Sequence, residues 1–486
     1  TTKKKMLGAA AGTAAAGGGA LDITDVFSTY LYDGTSAAHT ITNGIDLTEG
    51  GLVWGKVRSI SDGHYLVDSE RGIGSNGNYP YFRSDTTAAQ IDMASRSITS
   101  LNSNGFTLQT GGDSQFNASG YDYVSWTFKK QAKFFDIVTY TGTGSAQNIS
   151  HSLGSVPGMI IVKQTNATNN WWVQHIAFGG SHRLQLNATD AAETTSSVWN
   201  NTDPTSTVFT VGAHTGTNAS NGTYVAYLFA HNDSGDGGFG PDSDQDIIKC
   251  GSYTGNDGTQ EINLGFEPQW ILVKSSSHTR DWKIIDNIRG LAAAPNNKWL
   301  TPNSNNSEET VNTSTSTIEP TPTGFRLTNG DPETNADSRT YIFMAVRRGS
   351  LFSPTAGTDV FAQDFNRSTQ ANANGVVYYA GWPIDFSVFS SSRSSGGAHD
   401  IRSRLTGNSR MYTDATTAES FIGNPIWDTM YGWKHVTSSG TLNTDYITWM
   451  WKRAPGFCDV VAYPGNGVSN RHIAHNLGVR PEMMWI

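Results

Sequence analysis

Cysteine is almost missing: Cys250 and Cys458 are the only two in the chain, and they lie far apart. A structural zinc site needs about four ligands, so this pair cannot build one. Both are read as buried free thiols, the common state of unpaired cysteine. Charge is scarce as well. Charged residues make up 15% of the sequence, against about 25% in an average globular protein. The net charge of −9 is modest and spread out, which argues against a phosphate-binding surface, so no nucleic-acid partner is expected. No apolar run of about 18 residues occurs, so no membrane insertion is expected. Strong helix formers are few, whereas glycine reaches 52 and tryptophan 14 amid abundant Ser, Thr and Asn. Turn formers combined with aromatics point to β-structure with polar loops. At 486 residues the chain exceeds what one hydrophobic core holds, so several domains are expected.

What is present is a repeat. Gly51–Asp68 reads GLVWGKVRSISDGHYLVD, Gly158–His175 reads GMIIVKQTNATNNWWVQH, and Gln269–Asp286 reads QWILVKSSSHTRDWKIID. In each, an alternating apolar run ends in a lysine, a polar turn follows, and a second aromatic-rich run closes the unit. Lys56, Lys163 and Lys274 stand 12 residues before Asp68, His175 and Asp286. Such spacing predicts copied pairs of antiparallel strands. The closing tyrosines Tyr123, Tyr224, Tyr341 and Tyr446 are 101, 117 and 105 residues apart. The reading is therefore all-β, with tandem antiparallel β-sandwich modules of roughly 105 residues, each long enough to fold alone.

The expected boundaries are 24–130, 131–245 (ending in an acidic, glycine-rich linker), 246–353 and a divergent 354–453. In the fourth module Val376–Tyr379 and Phe386–Phe389 are expected to form the strand pair, with Gly432–Val436 standing in for the GFTL strand Gly105–Leu108. Residues 454–486 start a fifth module: Cys458–Tyr463 reads as its first strand, and His472–Gly478 echoes Asn148–Gly154. The sequence stops in mid-strand at Met483–Ile486, and the natural chain is expected to continue. Residues 1–23 form a short extended arm, basic and apolar at Lys3, Lys4, Lys5, Met6 and Leu7 and then rich in Ala and Gly. A secretion signal shares that layout, but this run is glycine-broken and short of Leu, Ile and Val. Small residues suit close seating in the groove of a larger assembly.

Candidate sites are few. Asp68-Ser-Glu-Arg-Gly72 and Asp286-Asn-Ile-Arg-Gly290 occupy the same module position. Asp68 with Glu70 would be a carboxylate pair for glycoside hydrolysis, but Ile288 replaces the glutamate in one copy and His175 the aspartate in another. The Asp–Arg pairs are therefore read as strand-end ion pairs or loop clamps. His151 and His475 precede matching Leu-Gly turns and are expected to fasten loops. Asp242, Asp244 and Asp246 in the linker are a weak calcium candidate that lacks the EF-hand ligand order. The rest reads as a solvated linker. Trp171 and Trp172 must face opposite sides of a strand, so one of them is expected to be an exposed or interface aromatic, able to contact a glycan. Neither a nucleophile elbow, a phosphate-binding glycine loop nor HExxH occurs. No enzyme activity and no cofactor are expected.

The pattern YxGxGxxQxIxHxLGxxPxxIIVKxxxxxxxWxVxH, followed by VWNxxxPTxxVFxVG and GxYVAYLFA, covers Tyr140–His175, Val198–Gly212 and Gly222–Ala230. It is similar to repeat modules in virion structural proteins of marine tailed phages, cyanophages especially. Asp25–Gly34, Asn43–Leu47, Leu52–Lys56 and Asp68–Gly72 resemble the start of the same family. The resemblance implies lectin-like, jelly-roll-like sandwiches, a homo-oligomer (usually a trimer), and an N-terminal arm docking to other virion proteins. The expected function is a tail-fibre or fibre-like component of the virion: the arm anchors it, the modules form a shaft, and a C-terminal region binds the host, with host surface glycan as a further partner. The alternative is a secreted bacterial carbohydrate-binding adhesin. A glycan depolymerase ranks last.

Overall fold

A computed structural model describes residues 20–92, 97–111, 113–293, 297–311, 317–365, 376–391, 399–421, 425–435 and 446–486. Its regular structure is almost entirely antiparallel β-sheet, and the described residues form no closed barrel.

One strand order occurs four times. In the first module the opening strand (Phe27–Asp33) lies beside the closing strand (Asp122–Lys129). Next comes the lysine strand (Gly51–Val57), then its partner (His64–Asp68). The same order recurs in Phe135–Thr141, Thr223–Ala230, Pro157–Gln164 and Trp172–His175, and again in Ile248–Thr254, Thr340–Arg347, Pro268–Ser275 and Trp282–Asp286. The fourth set is Phe361–Phe365, Tyr446–Trp451, Phe386–Ser391 and His399–Ser403. The closing strand is central because it borders both the opening and the lysine strand.

A smaller sheet packs against each main sheet. It has three strands in the first, third and fourth modules, and among the described residues two in the second, Gln147–Ser150 and Val208–Val211. Its glycine-led strand begins at Gly105, Gly324 or Gly432, where a side chain would lie 1.9, 1.9 or 1.8 Å from the carbonyl oxygen of Ile41, Ile262 or Tyr378. Only glycine permits that approach.

The closing tyrosines repeat one device. Tyr123, Tyr224 and Tyr341 stack on Tyr32, Tyr140 and Tyr253 at ring separations of 5.1, 5.0 and 5.3 Å. Each hydroxyl accepts the backbone N–H five residues upstream, from Ala118, Ala219 and Ala336.

Two expectations need correcting. Val376–Tyr379 does not pair with Phe386–Ser391. It lies in the small sheet beside Gly432–His435, while Phe386–Ser391 is the lysine-strand equivalent and pairs with the closing strand. The lysines sit opposite the residue after each closing tyrosine, and the residue in that place here is Ser390. Without its lysine the motif is unreadable. Second, residues 459–486 contain no strand, and Met483–Ile486 is exposed. In every module the opening and lysine strands are held by a closing strand, and this sequence supplies none for a fifth unit.

The first three modules are also not strung end to end. One buried cluster runs through all of them, with Trp54, Trp126 and Phe128 from the first, Trp171 and Phe229 from the second and Trp270 and Ile284 from the third. Trp270 packs edge-on to Trp126 and Phe128 at 6.5 and 5.8 Å, and Phe128 meets Phe229 at 5.4 Å. The first and third modules touch directly, so the three close on one another. The start of the chain is pinned to the end of the third module. The Asp22 carboxylate accepts Leu351 N–H at 2.9 Å and the Ser350 hydroxyl, and Ile23 is buried against Gly349. Leu21, Asp22 and Ile23 thus belong to the block; Lys3, Lys4, Lys5, Met6 and Leu7 lie outside the described residues.

Candidate functional site: the junctions between modules

The partner strand of each module ends at the position 12 residues beyond its lysine, and that residue reaches the closing strand of the next module. Asp68 Oδ2 accepts the Tyr227 hydroxyl at 2.7 Å. Asp286 Oδ2 accepts Trp126 Nε1–H at 3.0 Å. Tyr227 and Trp126 each lie three residues past a closing tyrosine, and Met344 is the third residue of that set. Methionine offers no O–H or N–H donor. Its partner is His175, whose Nε2–H donates instead to the Phe343 carbonyl at 3.1 Å while Nδ1 accepts Ala177 N–H. First to second, second to third, third to first: the contacts close a ring.

The two aspartates are clamps. Asp68 Oδ1 caps Arg71 N–H at 3.0 Å and Oδ2 takes Arg71 Nε–H at 2.6 Å. Asp286 does the same for Arg289, at 3.0 and 2.6 Å. The side chains are almost wholly out of water. Arg71 lies 4.0 Å over the Phe82 ring, and Arg289 lies 5.2 Å from the Trp126 ring across the junction. Further donors reach buried acceptors, as such a pair requires: Arg71 Nη2 donates to Leu66 O and Arg289 Nη1 to Glu308 at 3.0 Å, while Arg71 Nη1 stays buried without a hydrogen-bond partner. Glu70 points elsewhere, to Lys130 at 2.9 Å, so Asp68 and Glu70 do not form a working carboxylate pair.

The lysines are fully buried. Lys163 Nζ donates to Asn169 O at 2.7 Å and, across a junction, to Thr87 O at 3.0 Å; Lys274 Nζ donates to Ser275 O at 2.5 Å and to Thr189 O of the second module at 3.1 Å. Lys56 Nζ stays within its own module, on Val57 O at 2.6 Å. Burial pushes Lys163 down to about 7, and Lys56 and Lys274 down to about 8. It pushes His175 down to about 4, which keeps the imidazole neutral.

The fourth module docks on the third and first through charge. Glu308 takes Arg58 in two bonds of 2.8 and 2.9 Å, and Arg58 also holds Asp428 at 2.6 Å, with Lys298 3.1 Å from the same carboxylate. Burial works against ionised carboxyls there, yet Arg58, Arg289 and Lys298 hold Glu308 well below the usual range. Glu267 receives Arg453 in two bonds of 2.7 and 2.6 Å. No sequence signal marks this network: its members lie up to 370 residues apart.

Trp171 and Trp172 are both buried, 0% and 4% exposed, so neither presents a face to a sugar. Trp171 sits at a junction inside the chain: its indole N–H is 3.1 Å from both Arg83 O and Thr86 O, and its ring is edge-on to Phe82. Trp172 packs within its own module, under Arg183 at 4.5 Å and against His214. Two-sided burial hides both faces of this strand. Asp242, Asp244 and Asp246 do not converge. Asp246 caps Gly235 and Gly237 N–H, Asp244 accepts from Gln245, and no three His, Cys, Asp or Glu among the described residues could hold a metal ion. His151 fastens its loop, 3.2 Å from Thr205 O, and His475 accepts Leu477 N–H at 3.3 Å. Cys250 is buried and Cys458 half-buried, both free.

No curated protein and no solved structure matches the chain. The ring of three modules, with the Asp22 latch at its start, coincides with residues 22–348, which match the model of a domain of unknown function, DUF7483, and the chain belongs to that family.

Proposed function

We propose that this chain is a non-enzymatic structural component of a tailed-phage particle, part of a fibre or fibre-like appendage. The observation that carries the reading is the closed ring. Three sandwiches are welded by a common core and by clamps at equivalent positions, which gives a stiff block without disulfides. Stiffness suits a part that transmits force or holds position. The resemblance of Tyr140–His175 and Gly222–Ala230 to phage virion modules supports the same reading. In this proposal residues 1–19 anchor the block to other virion proteins, copies associate, and the block is a compact segment of the appendage. Asp22 and Ile23 are part of the ring, so the deletion that tests the anchor is 2–19. Gold-labelled antibody against the ring should decorate purified particles, and the deletion should remove the label. Unlabelled particles from cells that express the chain would overturn the assignment.

A further inference from the structure

The second module differs from its sisters in one place, and a cavity of about 690 Å³ opens there. Its small sheet has two strands instead of three, and the missing strand is replaced by irregular chain that includes Asn201, Asp203 and Pro204. Those residues form one wall. The inner face of the main sheet forms the other, with Ile160 and Gln174 paired across it. At the matching register the first module has Val53 opposite Val67 and the third Ile271 opposite Ile285, all buried apolar. The second module puts a carboxamide where its sisters put a methyl-bearing core residue.

That carboxamide is 3% exposed, and its Oε1 has no hydrogen-bond partner. A buried acceptor left unmet destabilises the fold, unless something else supplies the donor. The clamp is altered at the same spot. Phe178 replaces the arginine of the sister clamps, and Gly179, in the left-handed region at φ +60°, leaves room for Asp203 Oδ1. Asp203 Oδ1 accepts Gly180 N–H at 2.7 Å, and no partner of Oδ2 is found among the described residues.

We infer that this cavity binds a neutral saccharide. Its volume lies in the range of small-ligand sites, and its lining mixes polar side chains with apolar ones, as a sugar's hydroxyl and C–H surfaces require. The buried Gln174 Oε1 lacks an O–H donor, and the exposed Asp203 carboxylate offers a second acceptor beside it. Phe178, Pro204 and the half-exposed Ile176 offer apolar surface for the C–H faces of a sugar ring. No lysine or arginine lines the cavity, so phosphate or sulfate has no counter-charge there. The inference does not depend on where the chain resides.

The test uses the full chain on an array of neutral, acidic and amino saccharides, with calorimetry on the ligands retained. A neutral saccharide should be retained. Gln174→Ile, which installs the third module's residue, and Asp203→Asn should each weaken it by roughly tenfold, the loss of a well-made hydrogen bond to a buried or charged group. Gln174→Ile should leave Tm unchanged or higher, and Asp203→Asn alters an exposed residue, so folding is preserved. Retention of no saccharide, or affinity that survives both substitutions, overturns the site. Arginine amide binding more tightly than any saccharide would overturn the ligand class. Particle labelling answers the separate question of virion origin.

Discussion

Lys163 shows how a single residue couples sequence to stability. An alternating apolar strand ending in lysine reads as a strand with a solvated tip, yet the ammonium is sealed beneath the neighbouring module, hydrogen-bonded to carbonyl oxygens and set over the Phe82 and Trp171 rings. Burial disfavours its charge, so the group sits near 7 when folded and near 10.4 when unfolded. Between those values the unfolded chain binds more protons, and stability therefore rises with pH. The penalty is complete below about pH 7 and lifts as Lys163, Lys56 and Lys274 lose their protons. Tm measured from pH 7 to 9 should climb, and Lys163→Met should flatten the climb. A Tm that falls or stays level in the parent chain over that window would contradict this account. The importance of the lysines was visible in their equal spacing. Their burial was not, because it depends on a module that packs over the strand end.

The clamp at the end of each partner strand belongs to the next scale. Asp-x-x-Arg-Gly was legible as an ion pair, since carboxylate and guanidinium three residues apart close a tight turn. Its reach to Tyr227 and Trp126 was not legible, because those contacts join residues 159 and 160 apart, across surfaces set by module packing. For the same reason Trp171 and Trp172 were misplaced: alternation gives opposite faces, but here both faces are covered. Removing one partner of a buried pair strands the other charge. Asp68→Ala should therefore cost about 3–5 kcal/mol in denaturant unfolding, with Arg71 losing its carboxylate and the Tyr227 hydroxyl its acceptor. A loss under about 1 kcal/mol, the range of surface ion pairs, would show that the clamp does not hold the junction.

At the scale of the whole molecule, the repeat foretold the strand pairs at Lys56, Lys163 and Lys274, but not the pairing within the fourth module. It could not foretell their arrangement, because a ring and a string share the same local pattern. What selects the ring is the second apolar face of each main sheet: Leu52 and Trp54, Ile161 and Val173, Trp270 and Leu272 all lie in the shared cluster. A sandwich uses one face of its main sheet; these modules bury both. Small-angle X-ray scattering on a chain spanning residues 20–353 tests this most directly. A compact body of that length has a radius of gyration of about 20 Å, whereas three domains in line come to about 30 Å. The expected value is the smaller one, and a value near the larger would contradict the closed ring.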